Sequence, residues 1–126
     1  MFDHVGLNVR DYGASRAFYE SALAPLGYDV VMAFDEWKAC GFGRDGKPSF
    51  WVSQREPYGT GTHVAFACDS RETVDAFHAA ALAAGAADNG PPGVREHYHP
   101  NYYGAFVLDP DGNNVEAVCH SPAKDD

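Results

Sequence analysis

Residues Phe2-Asp3-His4-Val5-Gly6-Leu7-Asn8-Val9 alternate with period two, so Val5, Leu7 and Val9 fall on one face and His4, Gly6 and Asn8 on the other. That pattern predicts a strand with one buried face. It returns in His63-Val64-Ala65-Phe66-Ala67-Cys68, where Val64, Phe66 and Cys68 share the apolar face and His63, Ala65 and Ala67 lie opposite. The residues beside each histidine are small. Small neighbours leave open space over a sheet, which a ligand cavity needs and a packed core avoids.

After each strand the period changes to that of a helix. Tyr12 to Ala24 places Ala14, Phe18 and Ala22 on one side, with Asp11 as N-cap and Pro25 and Gly27 as punctuation. The second copy starts at Ser70, carries the stripe Val74, Phe77, Ala81 and Leu82, and stops at Gly85. Three short strands are expected to follow each helix. In the first copy they are about Tyr28 to Phe34, Trp37 to Gly43 and Ser49 to Gln54, with Arg44-Asp45-Gly46-Lys47 as a hairpin turn. In the second copy the matching pair is Ala105 to Leu108 and Val115 to Cys119, with Glu116 facing away from Val115 and Ala117.

The recurrence is a true internal repeat. At a constant offset of 59 residues, His4-Val5 lies over His63-Val64, Ala17-Phe18 over Ala76-Phe77 and Leu23 over Leu82. Asp45-Gly46 answers Asp111-Gly112 at an offset of 66, so the second copy has one longer loop. The fold class is therefore α+β, two tandem βαβββ modules at about 1–56 and 62–120 within one domain spanning 1–126. Gly59-Thr60-Gly61 is the linker.

Composition adds limits. At 126 residues, 45% apolar and 21% charged, the chain suits one globular core. No apolar run is long enough for a membrane helix, and the first residues lack a signal-peptide pattern, so the cytoplasm is the expected compartment. Cys40, Cys68 and Cys119 form no CxxC motif and are read as reduced, mostly buried thiols. A formal charge of −9 argues against nucleic acid or an anionic membrane and suits a small neutral or cationic molecule.

Two motifs fail on inspection. Gly41 to Lys47 matches GxxxxGK, yet Pro48 takes the place of the metal-binding hydroxyl and a strand follows instead of a helix. Asp109-Pro110-Asp111-Gly112 begins like a calcium loop, but its glycine comes two positions early and His120 stands where the glutamate belongs. It reads as a turn.

What carries chemistry is the pair of histidines at equivalent strand starts, together with Glu116. Two imidazoles and a carboxylate suit one divalent Zn, Ni, Fe or Mn ion, so His4, His63 and Glu116 are the expected metal ligands. The segments FDHVGLNVRDYGASRAFYESALAPLGY, GTHVAFACDSRETVDAFHAAA and GAFVLDPDGNNVEAV resemble the glyoxalase, bleomycin-resistance and extradiol dioxygenase superfamily, the vicinal oxygen chelate proteins, over almost the whole chain. The resemblance implies ligands on the first and last strands of each module. Aligned through the two Asp-Gly turns, its fourth ligand position falls on Phe50, which departs from a four-ligand glyoxalase I site and matches a three-ligand one. It also implies a homodimer whose site can draw on both chains, and chelation of two neighbouring substrate oxygens by the ion. Glu116 is a ligand first and a candidate proton acceptor second.

The longer loop, Arg95 to Gly104, is dense in rings and titratable groups. His99 and Tyr102 are candidate acid-base or wall residues, and Arg95 a candidate anion clamp. Trp37, Phe50 and Trp51 are candidates for the opposite wall, while His78 and His120 are expected at the surface. The expected function is a metal-dependent enzyme of lyase, isomerase, transferase or dioxygenase type acting on a small substrate. The alternatives are a metal-free antibiotic-sequestering protein of the bleomycin-resistance type and a noncatalytic module that only senses or dimerises.

Overall fold

The computed structural model describes residues 1–123. Strand β1 (Val5–Val9) leads into α1 (Tyr12–Leu23), then β2 (Asp29–Phe34), β3 (Ala39–Arg44) and β4 (Lys47–Gln54). The second module repeats the order with β5 (His63–Ala67), α2 (Arg71–Ala83), β6 (Ala87–Val94), β7 (Tyr103–Leu108) and β8 (Asn114–Cys119). Each module is a four-stranded sheet, ordered β1-β4-β3-β2 and β5-β8-β7-β6, in which the first and last strands are parallel neighbours. The first strand of each module therefore lies directly beside its last.

Both helices begin as read. Asp11 accepts the Ala14 N–H at 3.0 Å, and Ser70 accepts the Thr73 N–H at 3.2 Å. Their buried stripes differ from the expected ones. In α1 the buried residues are Ser15, Phe18, Tyr19, Ala22 and Leu23, with Ala14 exposed. In α2 they are Val74, Phe77, His78 and Ala81, with Leu82 exposed. His78 is thus a correction to the surface expectation: it lies one helical turn from Val74, and its Nε2 lies 3.0 Å from an Asp88 carboxylate oxygen on β6.

The helices pack against one another and on one face of each sheet, and the apolar core draws on both modules. Phe50 and Phe66, one from each sheet, meet edge to face with ring centres 5.3 Å apart. Tyr19 reaches across from α1 to donate to buried Asp109 in the β7–β8 turn at 2.6 Å. That carboxylate also accepts the N–H groups of Asp111 and Asn113, so the motif resembling a calcium loop is a self-capped turn. Asn113 then donates to the Gly59 carbonyl and accepts the Thr62 N–H, which anchors the linker at the start of β5.

The modules differ at the last hairpin. Gly43 pairs with Pro48 but Phe42 pairs with Phe50, leaving Ser49 as an extra residue in β4. Gly43 permits this bulge, since a Cβ there would fall 1.8 Å from the Lys47 carbonyl oxygen. The β7–β8 hairpin runs in register from Leu108–Asn114 to Tyr103–Cys119 with no such insertion. Two strands also depart from their expected bounds. Residues Asp35–Trp37 form a 3-10 turn, so β3 begins only at Ala39. The edge strand β6 contains Gly90-Pro91-Pro92-Gly93 and pairs irregularly, which hides it from the period-two pattern.

Candidate functional site

In each sheet the face away from its helix is open, and the two open faces carry different chemistry. On module 2, β5 directs His63, Ala65 and Ala67 outward, all exposed, while β8 directs Glu116 to the same side. Ladder pairing sets Ala65 beside Glu116 and places His63 two residues away, within reach of the carboxylate. His63 Nε2 lies 2.9 Å from Glu116 Oε1. The Tyr102 hydroxyl donates to Glu116 Oε2, so both carboxylate oxygens are engaged. Glu116 is only 1% exposed, whereas the His63 side chain is 52% exposed.

A buried carboxylate is costly unless it is hydrogen-bonded, and here the loop supplies the bond. Residues 95 to 102 fold back on themselves: the Arg95 N–H donates to the Tyr102 carbonyl at 2.7 Å and the Tyr102 N–H to the His99 carbonyl at 3.1 Å. Gly104 makes the close approach feasible, since a Cβ there would lie 3.1 Å from both Glu116 Oε2 and the Tyr102 ring. Burial, then the bond to Glu116, raises the Tyr102 phenol well above the ordinary tyrosine range and keeps it protonated as the donor.

The other loop residues take separate parts. His99 and His120 pack edge to face at 5.5 Å, and Tyr102 packs against His120 at 5.3 Å. His99 Nδ1 accepts the Asn101 N–H at 3.0 Å, so a neutral ring carries its proton on Nε2 and acts there as a donor. Arg95, the candidate anion clamp, is engaged within its own loop. Its guanidinium donates to the carbonyls of Pro91 and Gly93 and lies over the Phe106 ring, which staples the loop to β6.

On module 1 the ladder sets Trp51 beside Gly6, as it sets Glu116 beside Ala65. The bulge at Ser49 is the cause. Counting from the Asp-Gly turns gives Phe50, but the extra residue moves the equivalent position to Trp51. Phe50 itself is 2% exposed and packs against Tyr19, Phe42 and Phe66, so it is a core residue. Trp51 lies flat over Gly41 and stacks with Phe34 at 6.2 Å and 7°. Phe34 in turn meets Trp37, which is 69% exposed on its turn. The fourth ligand position of a symmetric site is thus aromatic.

His4 stands apart within one chain. Its Nδ1 lies 2.8 Å from Asp3, whose carboxyl is held down at about 2 mainly by its bond with Lys47 and then by His4. The ring lines a cavity of about 270 Å³ between the modules with Tyr28, Ala65 and Ala67, without His63 or Glu116. Among the described residues no three His, Cys, Asp or Glu side chains converge on a metal position. One chain therefore brings together His63, Glu116 and Tyr102, and leaves His4 outside that group. Sequence reasoning found Tyr102 by loop composition but missed Gly104, for which closeness to Glu116 across the β7–β8 ladder is the only signal.

Comparisons with known proteins bear on the same architecture. A glyoxalase/bleomycin resistance protein from Albidiferax ferrireducens T118 shares 32% identity, with TM-score 0.79 over 94% of this chain and 98% of that one. A glyoxalase/bleomycin resistance protein/dioxygenase family enzyme from Burkholderia phytofirmans PsJN, at 24% identity, TM-score 0.69 and coverage of 94% and 98%, shares the fold. So does lactoylglutathione lyase from Agrobacterium tumefaciens, at 18% identity, TM-score 0.68 and coverage of 94% and 92%. No curated protein matches the chain significantly. With the family model for the Glyoxalase/Bleomycin resistance protein/Dioxygenase superfamily matching residues 1–117, the duplicated βαβββ chain belongs to that superfamily.

Proposed function

We propose that this protein is a divalent-metal-dependent enzyme, of lyase, isomerase, transferase or dioxygenase type, acting on a small substrate through two neighbouring oxygens. The observation that carries the reading is the buried Glu116 carboxylate gripped by His63 and Tyr102 on an open sheet face. An imidazole nitrogen and a carboxylate oxygen 2.9 Å apart are a chemically suitable donor pair for Zn, Ni, Fe or Mn. Two protein donors hold such an ion weakly, so a third is needed. His4, with a side chain 60% exposed, would come from a second copy of the chain whose module 1 faces this module 2. The open sheet faces and the exposed Phe34 and Trp37 support such a homodimer.

When bound, the ion would polarise the chelated substrate oxygens and stabilise negative charge developing on them. Tyr102 fixes the orientation of the Glu116 carboxylate from behind. His99 presents an Nε2 proton near the rim, and Trp37 and Trp51 offer apolar walls for the rest of the substrate. The acidic character of the chain suits a small neutral or cationic substrate, for which the cytoplasm is the proposed compartment; no helix among the described residues is long and apolar enough to cross a membrane.

A second reading has its own observation. Trp51 in place of a carboxylate, stacked with Phe34 beside exposed Trp37, is what a metal-free protein would use to hold a planar or cationic compound. Metal analysis of untagged protein separates the two. About one ion per chain, lost in Glu116→Ala and in His63→Ala, is expected for the enzyme. Mixed dimers of His4→Ala and Glu116→Ala chains should regain sites that neither parent has. No ion after supply of Zn, Ni, Fe and Mn would sink the metal reading in favour of ligand sequestration.

A further inference from the structure

Two of the three cysteines stand side by side in the second sheet. The β5–β8 ladder pairs Ala67 with Val118, and the Cys68 N–H donates to the Val118 carbonyl at 2.7 Å. In a parallel ladder that bond carries the register one residue further, so Cys68 lies beside Cys119. Parallel partners project to the same face, here the one packed under α2. Cys119 is fully buried there, and Cys68, partly buried, packs against the same core. Adjacent strands are about 4.8 Å apart, inside the roughly 4.4–6.8 Å between Cα atoms that a disulfide spans. Cys40 lies on β3 in the other sheet.

We propose that Cys68 and Cys119 are a redox pair, which a small-molecule disulfide converts into a covalent latch between β5 and β8. The order of steps follows from exposure. Cys68, the more accessible thiol, loses its proton and attacks the small disulfide, expelling one small thiolate. Buried Cys119 then loses its proton and attacks the mixed disulfide at Cys68, expelling the second. Two protein S–H bonds are replaced by one S–S bond, and the small disulfide is reduced to two thiols. Burial, with neighbouring Cys119 next in weight, pushes the Cys68 thiol up to about 11, so the latch closes slowly at neutral pH. It is a slow response to a sustained oxidising shift rather than a fast peroxide sensor. The latch joins the two strands that carry His63 and Glu116, on the opposite face of the sheet.

The test uses the intact folded protein incubated with oxidised glutathione between pH 7 and 10, then alkylated and weighed. After alkylation under denaturing conditions the latched protein should carry one alkyl group instead of three and lack a further mass of about 2 Da, with the rate of latching rising about tenfold per pH unit. Trypsin separates the three cysteines onto segments 39–44, 56–71 and 96–124, so the latch appears as 56–71 joined to 96–124 with 39–44 alkylated. Cys119→Ser should trap a stable glutathione adduct on Cys68, while Cys68→Ser should give neither adduct nor latch. The oxidised protein should unfold at a higher urea concentration than the reduced one, and dithiothreitol should reverse the shift. A crosslink through Cys40, a crosslink only between chains, or oxidation seen only in urea-unfolded protein would overturn the proposal.

Discussion

The two open sheet faces are built on the same ladder and hold opposite chemistry. Beside β5, the position opposite Ala65 is Glu116, buried and held by His63 and Tyr102. Beside β1, the position opposite Gly6 is Trp51, stacked with Phe34. The two modules share one backbone plan and differ in side chains, so one half presents a buried carboxylate beside an imidazole and the other a flat aromatic surface. A single extra residue, Ser49, sets which side chain of β4 reaches the open face. The lesson is that equivalence between repeats is defined by strand pairing and not by distance from a turn.

The sharpest way to break that comparison is to exchange the roles of Phe50 and Trp51. Phe50→Ala should cost about 3–5 kcal/mol by urea unfolding and leave metal content per folded chain unchanged, because a core ring is lost. A large loss of metal at full stability would return the fourth position to Phe50. Next in size is the tie between modules. Tyr19→Phe should cost about 1–3 kcal/mol by removing a buried donor from Asp109, and a value near zero would mean the turn holds itself.

Alkaline titration tests the same tie from the other side. Burial, then the Asp109 charge, raises Tyr19 well above the ordinary value of 10, and burial raises Tyr12 and Tyr103 to about 12. Their neutral forms are favoured in the fold, so this stability is complete below pH 10. It falls as pH rises past 10, where the unfolded tyrosines release protons first. The fall should be shallower in Tyr19→Phe; an identical slope would remove Tyr19 as a contributor.

On module 2, Tyr102→Phe should weaken metal binding about 10–100-fold while the chain stays folded, since it removes the partner that orients Glu116, the ligand proposed above. Equal affinity would leave Tyr102 as a packing residue only. The smallest stability effect is expected at Trp37. Trp37→Ala should fall within about 0.5 kcal/mol of the parent, because the ring is largely exposed, and any loss should appear in ligand binding instead.

Much of this was legible in order along the chain. The in-phase pairs His4 and His63, the two caps at Asp11 and Ser70, and the strand positions of His63 and Glu116 follow from period and spacing, which are local properties. His78 could also have been read, since helical spacing places it on the stripe of Val74 and Ala81. Other features resist such reading. Arg95 looks like a free cation until the loop folds back and engages it with Pro91 and Gly93. Tyr19 looks like any helical tyrosine until Asp109, 90 residues away, accepts its proton bond.

The sequence by itself determined the duplicated βαβββ plan, the family, and the strand positions of His63 and Glu116, because alternation, capping and repetition act over a few residues. Tertiary structure alone decided that Ser49 bulges out and hands the open face to Trp51. It also brought Tyr102 onto Glu116 past Gly104, left His4 outside the group within one chain, and set Cys68 beside Cys119. Each of these depends on strand register and loop return, which join residues far apart in the chain and leave no periodic trace along it.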